Sequence, residues 1–291
     1  MIKKGIILAG GTGSRMSPLT KAVNKQLLPL YDKPLIFYPL SVLMLAGIKN
    51  ILIIVNKGQL SQFKKILPEK NNLGISIQYK EQLKPGGLPE AFTIGESFIG
   101  KDKVALILGD NFFYGQSLTN ILKKNISLKC GAKIFIHPVK RPDLYGVAFL
   151  DKKKKVLKLV EKPKKTKSNF AVTGLYFFDN KVIQYTKKLK PSKRGELEII
   201  DLLNIYRNKR KLSADLIGRG GSWLDTGSIN DFYSASNFIS TIEERQGLKI
   251  ACLEEIALKN NWIKIQDIKN SIKFYGNCNY SKSLISLIKK R

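Results

Sequence analysis

The 291-residue chain reads as an α/β protein built on a largely parallel sheet. Three observations predict this. Short apolar runs alternate with helical patterns through the first third of the chain, and a glycine turn directly follows the first apolar run. Hydrophobic residues make up 43% of the whole, enough to bury a sizeable core.

Gly5–Ala9, Ile51–Val55, Ile75–Tyr79 and Val104–Leu108 are bounded apolar runs of strand length. Between them, Pro39–Ala46 stops before Gly47 and Gln59–Leu67 before Pro68, as helices do. Parallel strands open onto a ligand crevice at their carboxyl ends, so the loops after Ala9 and Leu108 are the first places to search. From Ala132 to Phe178 the pattern turns strand-rich, with Lys133–Val139, Tyr145–Leu150, Val156–Glu161 and Ala171–Phe178, and it predicts a second lobe of sheet. After Leu224-Asp225-Thr226-Gly227 it becomes helical: Ser228 is placed to cap a helix from about Ile229 to Arg245, which Gly247 ends. Ala251–Lys259 and Ser281–Lys290 read as a small helical appendage. There is no internal repeat and no long linker.

No apolar run approaches the roughly 20 residues of a membrane span, and the first run is too short for a signal peptide. A cytoplasmic location is expected. Cys130, Cys252 and Cys278 are odd in number and scattered, so buried free thiols are expected and no disulfide framework or zinc site is suggested. The single histidine, His137, lies in an apolar run, where packing explains it better than catalysis. The net charge of +29 comes mostly from dispersed lysines without interleaved aromatics, so it favours an anionic small substrate over nucleic acid.

The loop Gly10-Gly11-Thr12-Gly13-Ser14-Arg15 leaves the first strand without bulky side chains, so its backbone can approach a phosphate closely. It is neither a G-x-G-x-x-G fingerprint, since the third glycine position is Met16, nor a Walker A loop. Arg15 and Lys25 supply cations that can reach back towards a polyphosphate held there.

Gly10-Gly11-x-Gly13-x-Arg15, Lys25-Gln26-Leu27-Leu28-Pro29-x-Tyr31-Asp32-Lys33-Pro34, Leu108-Gly109-Asp110-Asn111, Glu161-Lys162-Pro163, Gly195-Glu196-Leu197-Glu198 and Trp223-Leu224-Asp225-Thr226-Gly227 follow one another in this order. This ordered set resembles the sugar-phosphate nucleotidyltransferases, over essentially the whole chain. The resemblance implies a three-layer Rossmann-like fold with a mixed, mainly parallel central sheet, a smaller sugar-binding sheet region and a C-terminal helical appendage. It implies a catalytic domain over 1–240, with sugar-binding insertions at about 132–225, and an interface or regulatory extension over 241–291.

The same resemblance implies transfer from dTTP to α-D-glucose 1-phosphate, giving dTDP-glucose and pyrophosphate, as a first step towards dTDP-deoxysugars such as dTDP-rhamnose. Asp110 and Asp225 match Mg²⁺ ligands, and Arg15 and Lys25 match the residues that stabilise the triphosphate. Leu8, Gly10, Gly11, Gly13, Gln26, Gln82 and Gly87 match nucleotide-binding positions. Tyr145, Gly146, Glu161, Lys162, Val172, Gly174 and Arg194 match positions around the sugar phosphate. Arg219, Glu255 and Lys259 match a regulatory nucleotide site, and a homotetramer is implied. One segment departs from the family pattern: Gly86-Gly87-Leu88-Pro89-Glu90-Ala91-Phe92 stands where Asp-Gly-Leu-Ala-Gln-Ala-Phe is usual. A UTP-using relative and a catalytically silent regulatory homologue stay open as alternatives.

Overall fold

The computed structural model describes residues 1–290. Its strands are β1 (Lys4–Ala9), β2 (Pro29–Leu30), β3 (Lys33–Pro34), β4 (Asn50–Asn56), β5 (Ser76–Gln82), β6 (Val104–Leu108), β7 (Asn111–Gly115), β8 (Ala132–Pro138), β9 (Gly146–Leu150), β10 (Val156–Glu161), β11 (Phe170–Phe178), β12 (Leu212–Leu216) and β13 (Gly221–Asp225). Its α-helices are α1 (Phe37–Leu45), α2 (Leu60–Ile66), α3 (Glu90–Ile94), α4 (Glu96–Ile99), α5 (Leu118–Asn125), α6 (Lys181–Thr186), α7 (Ile199–Asn208), α8 (Ile229–Gln246), α9 (Leu253–Lys259), α10 (Ile265–Tyr275) and α11 (Asn279–Lys289).

Strands β5, β4, β1 and β6 lie side by side and all parallel. Their residues sort by the two-residue period of a strand. Ile7, Ile53 and Ile107 enter the core shared with α1, α5 and the C-terminal helices, while Ile6, Leu52, Ile54 and Leu106 enter the core shared with α3, α6 and α7. Helices on both faces give three layers, and burial on both faces explains why these strands read as unbroken apolar runs.

The sheet becomes mixed at β11, which runs antiparallel to β6. Leu175–Phe178 pair with β6, whereas Phe170–Val172 have left β6 and lie between β8 and β9. The expected second lobe is therefore a branch of one nine-stranded sheet, continuous through β11. The reason is the length and burial of β11: nine residues, apolar along almost the whole strand, reach two sets of neighbours. The ladder with β8 breaks between Val172 and Tyr176, and this break falls at the site described below.

Ser228 caps α8 by accepting the Asp231 N–H, and Gly247 closes it at φ +63. Cys252 is buried, but Cys130 is exposed in the turn before β8 and Cys278 is half-buried as the cap of α11, so the expectation of buried thiols holds for only one of the three. No described helix is long and apolar enough to cross a membrane.

A buried ion network fastens α8 to the β2–β3 hairpin. Glu243, 5% exposed, accepts from Lys33 Nζ at 3.1 Å, Lys249 Nζ at 2.5 Å and the Ile250 N–H at 2.8 Å. Lys33 and Lys249 both pair with Asp32 as well. Removing one member of such a network strands its partner without water. Glu243→Ala is expected to lose about 3 kcal/mol of stability in denaturant unfolding. The exposed neighbour change Glu244→Ala is expected to stay within about 0.5 kcal/mol.

Candidate active site

The carboxyl ends of β1, β5 and β6 meet at a cavity of about 430 Å³. A Cβ on Gly10 would stand 2.5 Å from Gln82 Oε1, so glycine there lets the end of β1 approach the end of β5. Asn56, at the end of β4, grips the next residue from both sides. The Gly11 N–H donates to its Oδ1 at 2.9 Å, and its Nδ2 donates to the Gly11 carbonyl at 2.8 Å. The Gly11 N–H is thus already occupied, whereas those of Thr12 and Gly13 donate to no described protein group. Gly13 itself stands at φ +61 and packs against Thr20, whose hydroxyl donates to its carbonyl at 2.9 Å.

Asn24 presents Lys25. Its Nδ2 donates to the Ala9 carbonyl at 3.1 Å and its Oδ1 accepts the Gln26 N–H at 2.8 Å, tying the start of the Lys25–Leu27 turn to the end of β1. Lys25 then pairs with Asp110 across the crevice.

The two acids arrive from opposite halves of the chain. β7 and β13 form a separate antiparallel pair in which Asn111 faces Asp225, and Thr226 donates to the Asp110 carbonyl through both its N–H, at 3.0 Å, and its hydroxyl, at 2.7 Å. Asn111 is 2% exposed. Its Oδ1 accepts from Trp223 Nε1 at 2.6 Å and the Gly174 N–H at 3.0 Å, which fixes the amide so that Nδ2 donates to Asp110 Oδ1 at 3.0 Å. The Gly174 N–H is free for this because the β11 ladder breaks there. Arg15 closes the group. A Cβ on Gly227 would lie 2.6 Å from Arg15 Nη2 and 3.0 Å from Asp225 Oδ1, so cation and carboxylate converge over that glycine.

Their environments push the two carboxyls in opposite directions. Burial works against ionisation of Asp110, but the charge and hydrogen bond of Lys25, with help from Asn111, hold it below the usual carboxylate range. Asp225 is pushed up to about 6, first by burial and then by the negative Asp110, with Lys25 and Arg15 pulling the other way.

On the far side, Glu161 and Lys162 end β10, and Lys162 takes φ +40, a strained value for a side-chain-bearing residue. Burial raises the Glu161 carboxyl. Arg194 is held bidentately by Glu198 at 2.8 and 2.9 Å, which leaves it 3.8 Å from Glu161. The Tyr145 ring meets Trp223 edge-on at 5.0 Å between centroids.

The structure thus brings together at one cavity all the nucleotide, sugar-phosphate and carboxylate candidates except Gly13, Lys25 and Gln26. Lys25 touches the site through Asp110, Gly13 shapes the loop, and Gln26 is buried behind it with its Oε1 unpartnered among the described residues. Glu255 and Lys259 line a different cavity of about 430 Å³ and pair at 2.6 Å; Arg219 is not among its described lining residues. Asn56 was not singled out from sequence, although it ends β4, where the crevice rule points, and Asn111, Trp223 and Thr226 stood in the quoted motifs with no role given them.

Fold and site together define a nucleotidyl transferase, and the model of the nucleotidyl transferase family matches residues 4–242. The chain is 48% identical over 287 residues to the glucose-1-phosphate thymidylyltransferase of Neisseria meningitidis serogroup A, covering 99% of this chain and 100% of that one. It is 45% identical over 285 residues to that of Mycolicibacterium smegmatis, covering 98% and 99%. The chain belongs to the glucose-1-phosphate thymidylyltransferase family. Among solved structures, a UDP-glucose pyrophosphorylase complexed with UDP-glucose superposes with a TM-score of 0.72 at 28% identity, covering 83% of this chain and 100% of the other. A Bacillus anthracis chain assigned as a glucose-1-phosphate thymidylyltransferase, in complex with sucrose, gives 0.75 at 39% identity, covering 81% and 94%.

The raised Asp225 carboxyl has a signed consequence for stability. Its contribution is complete while both states are protonated, below about pH 4, and is lost as the pH rises through about 6. Asp225→Asn, which cannot ionise, is expected to exceed the parent protein by about 2–3 kcal/mol at pH 7.5, with the gain shrinking towards pH 4. Thermal unfolding of both proteins in chelator across that range measures it.

Proposed function

We propose that this cavity joins dTTP to α-D-glucose 1-phosphate, releasing dTDP-glucose and pyrophosphate. The observation that carries the reading is the convergence of Asp110 and Asp225, through β7, β13 and Thr226, between the cations Lys25 and Arg15.

A sugar phosphate has a second pKa near ~6, so the attacking oxygen is already largely ionised at neutral pH and needs no base. That accords with a single histidine, His137, outside the cavity lining. The phosphate oxygen of the sugar attacks the α-phosphorus in line, a new P–O bond forms, and the bond to the β-phosphate oxygen breaks. Lys25 neutralises charge on the α-phosphate during this exchange, and Arg15 holds the departing β- and γ-phosphates. Glu161 accepts hydrogen bonds from sugar hydroxyls, and Lys162 and Arg194 face the sugar phosphate, with Tyr145, Gly146, Val172 and Gly174 around the ring. Leu8, Gly10, Gly11, Gln82 and Gly87 form the nucleotide side, with Gly13 and Gln26 supporting it.

The acids suit a divalent cation. Asp225 accepts no side-chain hydrogen bond among the described residues, and burial, then the nearby Asp110, raises its carboxyl beyond what Lys25 and Arg15 offset, so an added cation would find a carboxylate to hold it. No cluster of three metal-ligating side chains occurs among the described residues, but Mg²⁺ is commonly held by one or two carboxylates with substrate phosphates and water. Asp110 and Asp225 would hold it. When bound, the ion withdraws charge from the phosphate oxygens and aligns them.

Residues 1–240 form the catalytic unit in this reading, with sugar-binding insertions at about 132–225, and 241–291 serve an interface or regulatory role in a homotetramer. The cavity at Glu255 and Lys259 is the regulatory candidate, with Arg219 contributing from outside it.

The test is a panel of nucleoside triphosphates and sugar 1-phosphates with and without Mg²⁺, scored by pyrophosphate release. dTTP with glucose 1-phosphate is expected to be the best pair. Asp110→Asn, Asp225→Asn and Lys25→Ala are each expected to lower kcat/KM at least about 100-fold while staying folded. Full turnover in any of them removes that residue from its assigned role.

A further inference from the structure

The buried amide of Gln82 has a partner that decides which way it faces. Gln82 is 4% exposed and ends β5 at the nucleotide side of the cavity. Its Nε2 donates to Glu90 Oε2, at the start of α3, and the same oxygen accepts the Gly86 N–H at 2.9 Å. Gly86 leaves room for this: a Cβ there would lie 2.7 Å from Glu90 Oε2. The other end of the amide, Oε1, lies beside Gly10 and accepts no hydrogen bond from any described group.

A carboxylate only accepts hydrogen bonds, so the reverse orientation of Gln82 would set two acceptors against each other inside the protein. Glu90 therefore excludes it. An apolar side chain at 90 would tolerate either orientation, because it neither donates to nor accepts from the amide. The cavity thus presents an acceptor where an unconstrained glutamine presents either group.

We propose that Glu90 is a positioning residue for base selection: by locking Gln82 with Oε1 towards the cavity, it makes the site demand a hydrogen-bond donor on the base edge. This rests on the nucleotide reading above and extends it. Thymine and uracil carry that donor as N3–H. Cytosine does not: its N3 is a bare acceptor, and placing it against Oε1 leaves two buried lone pairs facing each other. A site built to bond one edge rejects a base lacking that group much more strongly than it rejects a change in size.

The experiment measures kcat/KM for dTTP and dCTP with glucose 1-phosphate in the parent, Glu90→Met, Gln82→Ala and the double variant, with folding checked by thermal unfolding. Glu90→Met, which offers no oxygen or nitrogen to the Gln82 amide, is expected to lower the dTTP to dCTP ratio at least about 10-fold, by raising KM for dTTP and admitting dCTP. In the Gln82→Ala background the same change is expected to leave the ratio unmoved, because nothing remains to be oriented. If Glu90→Met folds poorly, Glu90→Leu, which likewise neither donates nor accepts, is expected to lower the ratio in the same way. An unchanged ratio in folded Glu90 variants, or a fall that persists without Gln82, overturns the proposal. Absence of dTTP turnover in the parent protein would instead count against the nucleotide reading itself.

Discussion

The site depends on one constraint: Asp110 and Asp225, from distant parts of the chain, must be held as neighbours although their charges repel. The structure meets this with backbone rather than with side-chain attraction. The β7–β13 pair sets the register, and Thr226 spends both its donors on the Asp110 carbonyl. Opposing that scaffold is the upward displacement of the Asp225 carboxyl, the sign of a charge held where it does not relax. Lys25 pairs with Asp110, and Lys25 and Arg15 together counter only part of the burial and repulsion that raise Asp225.

Around that pair, nearly every polar group is oriented by a group behind it. Asn111 is aimed by Trp223 and Gly174, Lys25 is presented by the turn that Asn24 caps, Arg194 is gripped by Glu198, and Gln82 by Glu90. Chemistry without a general base has little else to work with: positioning and preset charge supply the rate. The break in the β11 ladder belongs to the same arrangement. It frees the Gly174 N–H for Asn111, while the Thr173 hydroxyl donates to the Phe135 carbonyl at 2.9 Å, so the interrupted pairing leaves these groups satisfied.

What sequence revealed follows from the range of each signal. The four parallel strands, the capped helix α8 and the strands β8 to β11 were legible because two-residue alternation, apolar runs and caps are local. Helix α10 was missed because Lys264 stands at its cap position, where no such signal is expected, and Asp267 closes the turn by accepting the Lys264 N–H at 2.8 Å. Strand β7 and its pairing with β13 were missed because neither strand makes sense alone: the ladder joins residues such as Asn111 and Asp225, far apart in the chain. Asp110 and Asp225 were found with a role, Asn111 and Thr226 stood in the same motifs without one because their partners are distant in sequence, and Asn56 carries no local mark beyond ending β4.

The glycines of the site show how far composition alone misleads. A glycine turn invites the reading that its N–H groups cradle phosphate, yet the Gly11 N–H is taken by Asn56. Other glycines here act through absence of volume. Gly10 admits the Gln82 amide, Gly174 admits Asn111, Gly227 admits the Arg15 guanidinium beside Asp225, and a Cβ on Gly87 would overlap the Leu197 carbonyl, whose residue donates its N–H to Gly86 at 2.8 Å. Each brings a polar group closer to the cavity than any side chain would allow. Because the close approach differs at each, the same substitution would fail for a different reason at every position: Ala at 227 would displace the Arg15 guanidinium, at 174 it would tilt the amide that aims Asp110, and at 10 it would move the Gln82 acceptor.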